Sequence, residues 1–339
     1  MKSIVNLQKK LVPDLLDVMD ERYSILQSVR LMQPIGRRAL AENVQLTERQ
    51  VRSEVDFLQE QGLIEITSKG MYATQEGLHT LEKLADFVSE LRGLNVLEEQ
   101  LMVKLKLDKV FIVPGNSDEN DWVKQEMGKV CVNYLKTIIS SNDTIAVTGG
   151  TSIAAVADVM MPLNKKGDYL FVPARGALGE KVENQATRIA ETMAKKASGN
   201  YSLLYVPDPL SEAAYQSLME EPSICDIVSK IKQANIVLHG VGEAMTMARR
   251  RKEAKSVIKK LEEKQAISEA FGYYFDQAGN VVHKVRTVGI HLEDIESIKH
   301  VITIAGGKSK ASAIKSYFVA SRSDLLITDE ACAREILKG

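Results

Sequence analysis

From Met1 to about Val88 the apolar positions recur mostly at helical spacing, and beyond about residue 107 they gather into short runs separated by helical stretches. In the first region "ERYSILQSVRLMQ" and "GRRALAENV" read as short helices and "TERQVRSEVDFLQEQGLI" as a third. "IEITSKGMYAT" then predicts a small hairpin turning at Ser68-Lys69-Gly70. Leu78, Leu81, Ala85, Val88 and Leu91 return to helical spacing and end near Gly93, a linker helix placed either to pair with a copy of itself or to bury against its own domain. In the second region the strand-like runs "KVFIV", "TIAVT", "YLFVPA", "YSLLYVP", "ANIVLHG", "HVITIAG" and "DLLIT" alternate with helices such as "EMGKVCVNYLKTII" and "AKSVIKKLEEK". Such alternation predicts a Rossmann-like α/β domain with a largely parallel sheet and a ligand crevice at the carboxyl ends of its strands. "GYYFDQAGNVVHKVRTVGI" breaks the rhythm as a hairpin insertion. The chain is therefore divided at 1–88 and 89–339.

The order helix, helix, turn, helix, hairpin in residues 1–88 is that of a winged helix-turn-helix. Thr47 is placed to cap the third helix, with Gln50 completing a capping box. Val51, Val55 and Leu58 then share one face, and Arg49, Arg52 and Ser53 lie opposite with Asp56. A helix that buries one side and shows two arginines and a serine on the other suits a major groove, where arginine pairs with guanine edges or phosphates. Arg37 and Arg38, at a helix start, are placed for phosphate contacts, and Lys69 at the hairpin tip for the backbone as a wing.

Composition narrows the partners. A chain of 339 residues with 45% hydrophobic and 26% charged residues suits two globular domains. The net charge of −1 gives no global pull toward nucleic acid or membrane, so a local patch must supply it. Residues 30–52 hold five arginines and two glutamates, which concentrates positive charge at the expected reading helix. Cys131, Cys225 and Cys332 are far apart without a CxxC, which argues for buried or inert thiols in a reducing cytoplasm rather than a zinc ribbon or disulfide framework. The start "MKSIVNLQKKLVPDLLDVMD" lacks the apolar core of a signal peptide, and no run of 18 apolar residues exists, so a soluble cytoplasmic protein is expected.

The stretch "TIAVTGGTSIAAVADVM" carries the strongest chemical signal of the second region. A strand delivers the chain to Gly149-Gly150, where a ligand can approach the backbone, and the next helix offers free N–H groups and the positive end of its dipole. Thr151 and Ser152 add hydroxyl donors. Taken alone, the stretch reads equally well as a tight turn whose hydroxyls merely cap a helix. Other strand ends add to it: "FVPARGALGE" with Arg175, Gly176 and Gly179, "VITIAGGKSK" with Gly306, Gly307, Lys308 and Lys310, and Arg249, Arg250 and Arg251 after "NIVLHG". Gln185 follows on the next helical pattern. Cations and backbone donors converging on strand ends suit a ligand with two phosphates.

Other chemistries fit poorly. A P-loop needs a glycine five positions before Gly307, where Ile302 stands, and the dinucleotide pattern begun at Gly240-Val241-Gly242 fails at Met245. The five histidines have neither HExxH spacing nor cysteine partners, so no metal or cofactor is expected. His239 reads as a satisfied core histidine.

The N-terminal pattern together with "AVTGGTS", "FVPARGALGE", "NQA", "EAFGYYF" and "AGGKSK" resembles the SorC family of bacterial transcriptional regulators over nearly the whole chain, closest to a branch that governs glycolytic genes. The resemblance implies a repressor released from operator DNA by fructose 1,6-bisphosphate and assembled as a homodimer or homotetramer. Carried over by motif, Gly149, Gly150, Thr151 and Ser152 would hold one phosphate, and Arg175, Gln185, Arg250, Arg251, Glu269 and Lys310 the rest of the sugar bisphosphate. Ser152 stands where a second threonine is expected. The family's effector domain is similar to glucosamine-phosphate deaminases and ribose-phosphate isomerases, which raises an enzyme as the alternative. Those deaminases continue as GxGxDGH, and here the stretch Gly240-Val241-Gly242-Glu243-Ala244-Met245-Thr246 replaces both the acid and the histidine. Without positioned acid–base groups proton transfer loses its catalysts, which favours a sensor.

Overall fold

The computed structural model describes residues 2–44, 46–163, 167–177, 181–208 and 210–338. The chain divides into two compact units, 1–95 and 96–339. Among the described residues no helix is long and apolar enough to cross a membrane.

The first unit runs α1 (Lys2–Leu11), α2 (Pro13–Met32), α3 (Arg37–Val44), α4 (Glu48–Glu60), β1 (Ile64–Thr67), β2 (Gly70–Ala73) and α5 (Gln75–Leu91). The short helix expected at "ERYSILQSVRLMQ" is the second half of the 20-residue α2. Pro13 opens that helix, since its missing N–H and fixed φ suit a first turn. The hairpin β1–β2 closes between Thr67 and Gly70 as expected. Ile35 adds a further rung, exchanging backbone bonds with Met71 at 2.9 and 3.4 Å. Ile25, Val29, Leu40, Val51, Val55, Leu58, Ile64 and Met71 form the core, so α4 buries the face that the sequence assigned to it.

The linker helix α5 belongs to the same core. Gly77, Leu81 and Val88 are buried while Ala85 is exposed. The Tyr23 hydroxyl donates to the Leu81 carbonyl at 3.3 Å. Arg92, just past α5, donates to Asp20 at 2.6 Å and to Ser24 at 2.7 Å, which locks its end to α2. Of the two roles open to this helix, burial against its own unit is the one the packing shows.

After α6 (Leu94–Leu105), the second unit places β3 (Lys109–Val113), α7 (Asp121–Ile138), β4 (Thr144–Val147), α8 (Thr151–Asp158), β5 (Leu170–Pro173), α9 (Ala186–Ala197) and β6 (Asn200–Tyr201). It continues with α10 (Glu212–Glu220), α11 (Pro222–Lys232), β7 (Ile236–His239), β8 (Gly242–Glu243), α12 (Ala244–Arg250) and α13 (Lys255–Glu263). The hairpin insertion supplies β9 (Ser268–Ala270), β10 (Tyr273–Phe275) and β11 (Val281–Lys284). The chain ends with α14 (Leu292–Ile295), β12 (His300–Ile304), α15 (Ala311–Ala320), β13 (Leu325–Asp329) and α16 (Glu330–Lys338).

Among the described residues seven strands form one parallel sheet in the order β3-β13-β12-β7-β4-β5-β6, and β8 to β11 form a separate antiparallel sheet. Strands buried on both faces need continuous apolar runs, which "IVLH" and "VITI" supply. Ile145, Val147, Ile236, Leu238, Ile302 and Ile304 share a core cluster with Met127, Leu135, Ile153 and Met193 from α7, α8 and α9. The strand expected over "YSLLYVP" is only two residues long. It is the edge strand, paired to β5 through Asn200 and Tyr201, and beyond that point Leu204 and Val206 bury their side chains without a ladder.

From β4 the chain winds outward through β5 to β6, then returns to lay β7 on the other side of β4. The sheet's topological switch therefore lies between β4 and β7, where open α/β sheets leave a crevice at their carboxyl ends.

Candidate functional site

The turn after β4 is built for close approach. A Cβ on Gly149 would stand 2.6 Å from the Asn184 carbonyl oxygen, and Gly150 has φ +116°. Gly150 N–H donates to that same Asn184 carbonyl at 2.9 Å. No side chain caps α8, so the N–H groups of Thr151, Ser152 and Ile153 face outward without a helical acceptor, at the positive end of the dipole.

Beside this turn lies a buried ion cluster. Arg175 ion-pairs with Asp208, its Nε donating at 2.6 Å, and reaches Glu269 Oε1 at 3.4 Å. Arg251 donates to the same Oε1 at 2.6 Å and to the Tyr274 hydroxyl at 3.0 Å. Gly272 N–H adds a bond to Oε1 at 2.7 Å. Burial alone would raise the Glu269 carboxyl, but the Arg251 and Arg175 guanidiniums hold it below its usual range. The two arginines thus line the cavity already committed to acids.

Lys310 differs from them. Among the described residues it has no ion-pair partner, and burial together with the positive charges of Lys124 and Arg250 lowers its pKa. The turn before it is moulded by acids. Asp329, fully buried, accepts from Gly307 N–H at 2.6 Å, Ser117 N–H at 3.0 Å and Cys332 N–H at 2.8 Å. Asp118 accepts from both the N–H and the hydroxyl of Ser309 at 2.8 Å.

After β7, Glu243 caps α12 by accepting from Met245 N–H at 3.0 Å and Thr246 N–H at 2.7 Å. Burial raises its pKa, but these bonds and Arg249 hold it below normal, as an ionised cap rather than a proton shuttle. His239 is fully buried, as expected of a core histidine, and bonds Thr303 Oγ1 at 2.8 Å, with Tyr317 and the Gly240 carbonyl as further partners. Burial lowers its pKa to about 4, so the ring is neutral at physiological pH.

All ten residues singled out for the ligand, namely Gly149, Gly150, Thr151, Ser152, Arg175, Gln185, Arg250, Arg251, Glu269 and Lys310, line one cavity of about 260 Å³. Gly179 lies outside the described residues. Lys308 faces away and pairs with Glu335 at 3.9 Å. Thr148, Asn184, Phe271 and Ser309 also line the cavity and were not anticipated. Asn184 sits beside Gln185 in "ENQA", a usable signal, whereas Phe271 enters through a positive φ of 53° that nothing in its neighbours announces. Asp208, the buried partner of Arg175, likewise had no local signature. Among the described residues no group of three His, Cys, Asp or Glu side chains is placed to hold a metal. Cys131 and Cys332 are buried and their thiols are pushed up to about 12 by that burial, while Cys225 is exposed rather than buried.

On the first unit Thr47 and Gln50 form the capping box of α4. Arg49, Arg52 and Ser53 are exposed on the face opposite Val51 and Val55, and Lys69 is exposed at the hairpin tip. Arg37 pairs with Asp56 at 3.2 Å and Arg38 with Glu42 at 3.3 Å, both near the surface, where such pairs exchange readily with a phosphate. Arg22 supports α4 from behind, bonding Glu54 at 2.6 Å and covering the Phe57 ring.

A sequence profile described as the CggR N-terminal DNA binding domain matches residues 18–88, and one describing a sugar-binding domain matches residues 89–338. Over 339 residues the chain is 51% identical to the central glycolytic genes regulator of Priestia megaterium, covering 100% of this chain and 99% of that one. It is 48% identical over 338 residues to the protein of the same name from Bacillus subtilis, with 100% and 99% covered. Among solved structures, a SorC family transcriptional regulator from Enterococcus faecalis matches 71% of this chain and 99% of its own, at 43% identity and a TM-score of 0.68. The full-length sorbitol operon regulator SorC of Klebsiella pneumoniae shares the fold, with a TM-score of 0.67 over 90% of this chain and 94% of its own at 15% identity.

Proposed function

This chain belongs to the SorC-type family of transcriptional regulators, with a CggR-type DNA-binding domain and a sugar-binding domain, and we propose that it represses glycolytic genes and leaves its operator when fructose 1,6-bisphosphate fills the cavity. It is a DNA-binding transcriptional regulator of glycolysis, and its relatives are regulators rather than enzymes. The functional division is 1–88 for DNA and 89–339 for effector and assembly, with a homodimer or homotetramer presenting paired reading helices to a repeated operator.

The observation that carries the ligand reading is the pairing, in one cavity, of the uncapped α8 terminus with the unpartnered Lys310. The turns that bear them leave β4 and β12, two strand spacings or about 10 Å apart. That suits a compact sugar with a phosphate on each side. Glu269 Oε1 already takes three bonds, which leaves Oε2 for a sugar hydroxyl beside Gln185. In the first unit Arg49, Arg52 and Ser53 read bases, Thr47 fixes the helix that bears them, and Arg37, Arg38 and Lys69 grip phosphates.

Calorimetric titration of the full-length protein with fructose 1,6-bisphosphate, followed by operator binding with and without it, tests this reading. Saturable heat that returns to baseline, with loss of operator affinity, is the expected result. Sustained heat after each injection would replace the sensor with an enzyme, and no heat would remove the bisphosphate.

A further inference from the structure

The two glycine turns of the cavity resemble one another in sequence but not in their donors. After β4, Gly149-Gly150 leads into a helix whose first N–H groups are uncapped. After β12, Gly306-Gly307 leads into a turn whose N–H groups are already used. Gly307 N–H goes to Asp329, Ser309 N–H to Asp118, Lys310 N–H to the Gly307 carbonyl, and Lys308 N–H lies 3.4 Å from Asn116 Oδ1. The arrangement is tight: a Cβ on Gly307 would stand 2.2 Å from Asp118 Oδ1. Both Asp118 oxygens are held by Ser309, and Asp118 attracts Lys310 across space without forming an ion pair with it.

Resting on the reading of the cavity as a sugar-phosphate site, we infer that it recognises its two anionic groups by different chemistry: the Gly149–Ser152 turn reads a phosphate by geometry, and the Lys310 side reads only negative charge. Converging backbone N–H groups at a helix terminus match the several oxygens of a phosphate. An ammonium is a compact point charge that imposes no such geometry, and the guanidinium of Arg250 beside it takes carboxylate as readily as phosphate. The ligand class therefore extends beyond sugar bisphosphates to phosphorylated sugar acids, in which a carboxylate stands where the second phosphate would be. Lys310 is the residue that makes the second charge matter.

Calorimetry on the wild-type full-length protein separates the possibilities with three probes: fructose 1,6-bisphosphate, 6-phosphogluconate and glucitol 6-phosphate. The last two are open chains that differ in a carboxylate against a neutral hydroxymethyl. 6-Phosphogluconate should bind about tenfold more tightly than glucitol 6-phosphate, the worth of one charge-assisted contact. Lys310→Met, which keeps length and apolar packing, should reduce that ratio to near one. Equal affinity of the two open-chain probes, with fructose 1,6-bisphosphate still binding tightly, would overturn the inference and leave the sugar-phosphate reading standing. An unchanged ratio in Lys310→Met would overturn the assignment to that lysine. Absence of binding by all three would remove both readings together.

Discussion

Arg251 donates to Glu269 at 2.6 Å with both side chains shielded from solvent, and Glu269 is thereby the shared anion of two guanidiniums, since Arg175 approaches the same oxygen. Removing one partner of a buried pair leaves an uncompensated charge, typically costing about 3–5 kcal/mol. Glu269→Ala strands Arg251, while Arg175 keeps Asp208, and should lower the melting temperature of the second unit by on the order of 10 °C. A calorimetric scan checks it. A variant that melts like wild type would show the cluster to be solvated.

Gly149→Ala probes the turn itself. The added methyl meets the Asn184 carbonyl, a backbone atom that cannot swing aside. The loop carrying Asn184 and Gln185 must move away, and affinity for fructose 1,6-bisphosphate should fall more than about tenfold at a stability cost of about 1–3 kcal/mol. Titration and a melting curve, taken together, separate the two effects.

Acid should weaken the second unit through His239. Its folded pKa is depressed to about 4 from an ordinary 6.5, so between those values the unfolded chain binds the extra proton. Stability contributed by the neutral ring is complete above about pH 6.5 and is lost as pH falls toward 4, a loss on the order of 3 kcal/mol. Denaturant midpoints measured from pH 7 to pH 4.5 should decline, and His239→Gln should flatten the decline.

Arg52→Ala should abolish operator binding while leaving the melting curve and the sugar-phosphate heat unchanged, because the side chain is exposed on α4. Thr47→Ala should instead lower stability by about 1 kcal/mol through its lost cap. Wild-type operator affinity should fall with salt at a log–log slope near −0.9 for each phosphate neutralised. A salt-independent affinity would contradict the placing of Arg37, Arg38 and Lys69 on the backbone.

The sequence exposed what is periodic or local. The alternating strands, the capping box at Thr47 and Gln50, the hairpin at Gly70 and the glycine turns were legible because each depends on neighbours in the chain. The ten candidate ligand residues were named through the family resemblance. Gly149 to Ser152, Arg175 and Lys310 lie just past strand ends that a parallel sheet delivers to one crevice, whereas Gln185, Arg250, Arg251 and Glu269 come from helix ends and from β9 of the smaller sheet. What remained hidden is pairwise and distant. That Arg175 faces Asp208 and that Asp329 bonds three separate segments depend on tertiary contacts which leave no spacing pattern. The arginines looked like free phosphate ligands for the same reason. The brevity of β6 was missed because an edge strand and a central one share the same apolar composition.

The acids that occupy Arg175 and Arg251 have a consequence for the cavity before it is filled. Two bare guanidiniums buried side by side would repel one another, and the fold would lean on an outside anion to remain whole. With Arg175 and Arg251 neutralised from within by Asp208 and Glu269, that share of the positive charge is balanced before any anion arrives.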